Sequence, residues 1–408
     1  MKRNLIFLIF FCGLLSAQQI RTAQLFNPQS NDLSPFINIK NDYLIFSFDD
    51  MEGGSKRFDY KIVRYDRFWQ PSSLFLSEYI SGYETNYIRD YRSSFNTRVN
   101  YTHYEVQIPN RDFSFKLSGN YGIQLLHPQN KSVILEKRFA VYENATAVGV
   151  HVERINGFNN ENQRISVQVA STNQIDLTRN QQESMMVVLK NDNWNERIVL
   201  QQPVFAQAFQ FTYNQMTNLF SGGVEYNWFD TKNSEIAGLT TEKIIRDDIY
   251  KVVLRPDAFA PDQTYLDRPD VNGNYYIRND RIPNPLNAGS EADYMDVYFG
   301  LSQEKPAANE SIFVYGAFNN FYPTPESILQ YVPTTGLWET NILLKQGYYN
   351  YSYGIINNDT GEIDYDKISG SYWQTENKYS ALFYYQPWGK RYDLLLGYGE
   401  GYSRPSQR

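Results

Sequence analysis

Short runs of strictly alternating apolar residues constrain this chain more than any other feature. Leu44, Phe46 and Phe48 alternate, as do Phe113, Phe115 and Leu117, then Val148, Val150 and Val152, then Ile165, Val167 and Val169. The same period returns in Phe209, Phe211 and Tyr213, in Val297, Phe299 and Leu301, and in Tyr349, Tyr351 and Tyr353. Successive side chains of a strand point to opposite faces, so a period of two marks strands with one buried face. Turn formers separate the runs at Gly53-Gly54, Gly119-Asn120, Asn159-Asn160, Gly222-Gly223, Asn272-Gly273 and Gly336. No segment longer than about 12 residues keeps a clean 3.6-residue apolar stripe, so few helices are expected. Short strands at this spacing predict an all-β chain of tandem β-sandwiches. The 34 tyrosines and 26 phenylalanines agree, because aromatic rings suit a pleated, half-buried surface.

Residues 1–17, MKRNLIFLIFFCGLLSA, place Lys2 and Arg3 ahead of an apolar core from Leu5 to Leu15, with small residues at Ser16-Ala17. A membrane span needs about 20 apolar residues, so this segment reads as a cleaved signal peptide and the chain as exported. Cys12 is the sole cysteine, and the bulky Phe11 before it argues against lipoprotein processing. A mature chain without cysteine offers no disulfide, no thiolate nucleophile and no cysteine–zinc site. No later apolar stretch of about 18 residues predicts a direct membrane span. The formal charge of −7, without Lys/Arg blocks, argues against nucleic acid and anionic membrane as partners.

Motifs for chemistry are sparse. There is no G-x-S-x-G elbow, no HExxH helix, no Walker loop and no dinucleotide-binding glycine fingerprint. His103, His127 and His151 are far apart, and His103, in Tyr101-Thr102-His103-Tyr104, reads as an ordinary strand histidine. Asp267, Asp270 and Asn272 resemble the start of a calcium loop, but the spacing fails and no glutamate stands at the twelfth position. Asn272-Gly273 reads instead as a tight turn. Paired carboxylates for glycoside hydrolysis need only spatial proximity, which sequence does not supply. The expectation is therefore no catalytic, cofactor-binding or metal residues, and a protein that binds rather than catalyses.

The chain after residue 17 is too long for one core. A first sandwich is expected over 18–145, ending at the strand Lys137-Arg138-Phe139-Ala140-Val141, and a second over 146–256. A loop-rich connector over 257–292, with Pro261, Pro269, Pro283 and Pro285, leads to a third sandwich over 293–408. In that third block, Gly316-Ala317-Phe318-Asn319-Asn320-Phe321, Gly336-Leu337-Trp338 and Leu343-Leu344-Lys345-Gln346-Gly347-Tyr348-Tyr349-Asn350-Tyr351 occur in order. This resembles the early-set, immunoglobulin-like modules of starch- and glycogen-active enzymes. That resemblance implies the alternative function, a periplasmic or surface carbohydrate-binding protein. Phe321 stands where the motif's tryptophan would be, and Trp338 belongs to the scaffold pattern.

A wider resemblance runs through the chain. It rests on Phe58-Asp59-Tyr60-Lys61-Ile62, Trp69-Gln70-Pro71-Ser72-Ser73-Leu74, Glu78-Tyr79-Ile80-Ser81-Gly82-Tyr83 and Ile88-Arg89-Asp90-Tyr91-Arg92-Ser93-Ser94-Phe95-Asn96-Thr97. Asn191-Asp192-Asn193-Trp194-Asn195, Gly222-Gly223-Val224-Glu225-Tyr226, Asp270-Val271-Asn272-Gly273, Thr375-Glu376-Asn377-Lys378-Tyr379 and Arg391-Tyr392-Asp393 follow in order. Together these resemble the plug protein family of the type IX secretion system of Bacteroidetes. The resemblance implies a periplasmic subunit, associated with the outer membrane, that binds the translocon β-barrel and occludes its periplasmic opening when no substrate is engaged. The family supplies no catalytic residues to carry over and no motif-defined contact residues, so the partner-binding residues stay unknown from sequence. The run Arg89-Asp90-Tyr91-Arg92 reads as solvated or structural, with a contact patch as its alternative.

Overall fold

The structure is a computed structural model that describes residues 20–30, 33–155, 161–259 and 265–404. The segment expected to be a signal peptide (with Cys12), Pro261 and the expected turn at Asn159-Asn160 lie outside the described residues. Among the described residues the α-helices are single turns, Leu76–Tyr79 and Ala288–Glu291, and strands dominate the regular structure. The chain is all-β and built from tandem sandwiches. It forms two compact units, the first ending at Tyr142 and the second resuming at Glu143.

Strands of the first unit are β1 (Ile20–Phe26), β2 (Phe36–Asn38), β3 (Leu44–Asp50), β4 (Asp59–Tyr65), β5 (Ile80–Gly82) and β6 (Thr85–Tyr87). They continue with β7 (Asp90–Ser93), β8 (Thr102–Ile108), β9 (Phe113–Phe115), β10 (Gly119–Leu126) and β11 (Val133–Tyr142). One sheet runs β1-β3-β8-β7 and the other β2-β11-β10-β4-β6, with β5-β9 as a small third ladder. The alternating Leu44, Phe46 and Phe48 of β3 are fully buried, as are Tyr60 and Ile62 of β4 and Ile123 and Leu125 of β10. Each such side chain contributes roughly 1.5–3 kcal/mol of burial. Phe48 stacks on Tyr104 of β8 at 5.2 Å, and the Tyr104 hydroxyl accepts the Lys56 backbone N–H at 2.8 Å. A buried tyrosine thus keeps its polar tip satisfied.

Strands of the second unit begin with β12 (Thr146–Arg154), β13 (Asn162–Ser171), β14 (Ser184–Lys190), β15 (Asn193–Leu200), β16 (Phe205–Gln207), β17 (Gln210–Tyr213) and β18 (Leu219–Ser221). Next come β19 (Asn227–Asp230), β20 (Thr241–Arg246), β21 (Tyr250–Leu254), β22 (Asp257–Ala258), β23 (Tyr275–Ile277), β24 (Tyr294–Ser302) and β25 (Glu310–Tyr315). The last are β26 (Gln330–Val332), β27 (Leu337–Lys345), β28 (Gly347–Asn357), β29 (Ile363–Asp364), β30 (Lys378–Tyr385) and β31 (Leu394–Tyr402).

These strands do not group in the linear blocks 146–256, 257–292 and 293–408. One sandwich pairs a sheet of β12, β13, β17, β16 and β18 with a sheet ordered β15-β14-β30-β31. Its core joins Ile165, Val167 and Val169 to Met186 and Val188, and both groups to Tyr379, Ala381 and Phe383. The other sandwich holds β19 through β29, including β22 and β23 from the stretch expected to be a connector. The physical reason is β14. All seven of its residues are buried, and a buried strand needs a hydrogen-bonding partner along both edges. β15 serves one edge, and β30 returns from the end of the chain to serve the other. The third sandwich is therefore an insertion within the second.

The second sandwich closes where β12 crosses β31. There Gly397, Gly399 and Gly401 recur at every second residue. A Cβ on Gly399 would sit 2.0 Å from the carbonyl oxygen of Val148, and one on Gly397 would sit 2.2 Å from the Thr146 hydroxyl. Only hydrogen fits at that distance. Gly399→Ala should lower the unfolding free energy of the protein by about 1–3 kcal/mol, the usual cost of overpacking. Gly149→Ala, where a Cβ meets nothing within 4 Å, should stay within about 0.5 kcal/mol. Urea denaturation of the two variants beside the parent measures the contrast.

Candidate functional site

The residues singled out in sequence disperse over the fold. His103 lies on β8 with Nδ1 2.7 Å from a carboxylate oxygen of buried Asp49. His127 uses Nδ1 to accept the backbone N–H of Gln129 at 3.3 Å, which ties a turn. His151 is exposed, 3.9 Å from Glu153. Among the described residues, no group of three or more His, Cys, Asp or Glu is placed to hold a metal ion. Asp267 meets Arg404 at 2.9 Å instead of joining Asp270. Asp270 accepts the backbone N–H groups of Tyr226 at 2.6 Å and Asn272 at 2.8 Å. Asn272 and Gly273 both have positive φ, and the Asn274 N–H returns to the Val271 carbonyl at 3.1 Å. That is the tight turn the sequence indicated.

The ring positions expected for sugar stacking are packed. Phe321 is buried in a cluster with Tyr226, Phe313 and Tyr315. Trp338 packs on Tyr331 and donates its ring N–H to the Gln303 carbonyl at 3.1 Å. The Phe321 ring, at the motif's tryptophan position, presents no open aromatic face to a glycan.

Two features do concentrate chemistry. The first is the neck of the second unit, where the chain leaves the second sandwich after Ser221 and returns before Lys378. The two crossings bond to each other: Tyr372 N–H to the Gly223 carbonyl at 2.9 Å, and the Asn377 amide to the Gly222 carbonyl at 2.8 Å. Gln163, buried on β13, donates to the carbonyls of Trp373 and Thr375 and accepts from the Tyr379 hydroxyl at 2.6 Å. A network satisfied this fully specifies one geometry. Beside it sits Glu225. One of its carboxylate oxygens accepts the Tyr265 hydroxyl and the Glu376 N–H, while the other is buried without a hydrogen-bond partner. Burial raises Glu225 to about 7, and burial together with the Glu225 charge raises Asp270 to about 8.

The second feature is an edge of the first unit. β6 and β7 are consecutive strands that end the two different sheets of that sandwich. Along and beside them Tyr83, Tyr87, Tyr91 and Phe95 are exposed, Tyr83 by 73% and Phe95 by 68%. Arg57 and Arg89 lie 4.8 and 4.2 Å from the centre of the Tyr87 ring. Tyr91 leans on Tyr104 at 5.5 Å. Tyrosine and arginine together are the composition enriched in protein interfaces. The Arg89–Arg92 run is thus part structural, through the Arg89–Asp112 ion pair, and part exposed.

Sandwich upon sandwich, with rings and guanidiniums gathered on one sheet edge, defines a tandem β-sandwich protein. Its first unit has a more particular relationship. Residues 20–143 match the family described as type 9 secretion system plug protein 1st domain. A crystal structure of a hypothetical protein from Parabacteroides merdae superposes with a TM-score of 0.88 at 28% identity, covering 94% of this chain and 97% of that one. A serine-rich repeat protein from Streptococcus agalactiae gives a TM-score of only 0.13 at 6% identity, with 96% of both chains covered. No curated protein matches.

The raised Glu225 carboxyl has a pH consequence. Below its unfolded value near 4.5 the group is protonated in both states, and its stabilising protonated form is lost as the pH rises through about 7. Glu225→Gln keeps the oxygen that Tyr265 and Glu376 use and cannot ionise. Between pH 4.5 and 7 the variant's stability should fall less than the parent's. Chemical denaturation across that range checks it.

Proposed function

We propose that this chain is a non-enzymatic, periplasmic plug subunit that binds the outer-membrane translocon barrel of the type IX secretion system. It occludes the periplasmic opening of the barrel while no substrate is engaged. The single observation that carries this reading is the match of residues 20–143 to the plug family's first domain. The physics supports it. A plug must hold its shape, and close-packed sandwiches with fully buried tyrosines such as Tyr60, Tyr121 and Tyr379 are stiff bodies. It must also leave the opening, which calls for a moderate, partly polar interface rather than an obligate apolar one. An exposed tyrosine–arginine edge is of that kind. Among the described residues no helix is long and apolar enough to cross a membrane, which fits attachment through a partner.

Affinity purification of the tagged protein in mild detergent should recover a large outer-membrane barrel, identified by mass spectrometry. Cells lacking the protein should admit a small periplasm-excluded dye through the outer membrane. A sealed membrane in the deletion strain, together with no barrel in the purified fraction, would end the proposal.

A further inference from the structure

We infer that the β6–β7 edge of the first unit receives an extended, carboxylate-bearing segment of a partner protein by strand addition. The proposal rests on the plug reading only for who the partner is.

Three observations point the same way. Among the described residues β7 pairs with β8 alone, from Asp90 opposite Glu105 to Ser93 opposite Thr102, so its outer side presents unpaired backbone groups. A row of such groups is matched by another extended chain and by little else. Sheet edges are ordinarily guarded by proline, lysine or a bulge. Residues 83–95 contain no proline and no lysine, and carry Tyr83, Tyr87, Tyr91 and Phe95 at four-residue intervals instead. Exposed rings in one contiguous stretch are an unfavourable arrangement for a surface that meets only water.

The charges then specify the occupant. Arg92 is exposed on β7, and its charge acts on Glu105 across the strand pair. Arg57 reaches Asp59 only through Nε, at 3.4 Å, and keeps its guanidinium over Tyr87. Of the carboxylates near the edge, Asp112 is held by Arg89, Asp59 by Lys131 at 2.9 Å, and Glu105 lies beside His103 and under the influence of Arg92, while Asp90 is exposed on β7 itself. Guanidiniums with donors to spare, spaced along a strand edge, select carboxylates presented on an extended chain.

The test places a photoreactive amino acid at Tyr91 or at Phe95, with Tyr331 and Trp388 of the second unit as exposed control positions. The full chain is irradiated in cells and purified, and the adducts are mapped by mass spectrometry. Positions 91 and 95 should give adducts with one partner polypeptide, on a peptide containing Asp or Glu, and the controls should not. Arg57→Glu with Arg92→Glu should lower the adduct yield by about tenfold or more, with the melting temperature unchanged. Adducts from the control positions alone, adducts joining two copies of this chain, or a charge-reversed variant with full yield would each overturn the inference. Recovery of the barrel with a silent edge would remove this inference and leave the plug reading standing. Adducts from 91 and 95 to a protein other than the barrel would do the reverse.

Discussion

The second unit depends on one requirement, that the buried strand β14 be hydrogen-bonded along both edges. Ser184 to Lys190 carry no exposed residue, so neither edge of the strand can turn to water. β15 follows directly and takes one side. The other side waits for β30, and everything from Gly222 to Asn377 is an excursion made before that partner arrives. From this follow the doubled neck, the polar network around Gln163 that fixes it, and the glycine-lined crossing of β12 over β31 that closes the sandwich.

Which segments become strands was legible because it is a local property. The buried faces of β3, β13, β24 and β28 are the alternating residues themselves, down to Tyr349, Tyr351 and Tyr353. Which strands pair across long separations was not, because period carries no information about partners. The linear blocks failed there, and β19 to β21 were assigned to the wrong sandwich. One signal was available: Gly397, Gly399 and Gly401 leave one side of the last strand without side chains, which makes sense only where another backbone passes close. The early-set pattern located β25, β27 and β28 and put Phe321 at the motif's tryptophan position, but it did not show that the ring is enclosed by Tyr226 and Tyr315.

The candidate face was harder to see for a different reason. Tyr87 and Tyr91 look like any other strand tyrosines until the sheet order shows that their strands end two sheets, with no outer neighbour among the described residues. Sequence read Arg89-Asp90-Tyr91-Arg92 as a unit, solvated or structural with a contact patch as its alternative, but the fold divides it. Arg89 is committed to Asp112 through an ion pair, whereas Arg92 is exposed and acts on Glu105 only through its charge. The exposed aromatic edge lies inside residues 20–143, the segment that matches the plug family's first domain.

The doubled neck has a mechanical corollary. A domain appended at a chain end hangs from one tether, and a single proteolytic cut sets it loose. Here the inserted sandwich is anchored by two backbone lines, through Gly222-Gly223 and through Tyr372–Asn377, zipped side by side. A nick in either line leaves the other in place, and torque between the two sandwiches is resisted by a pair of strands rather than by one swivel.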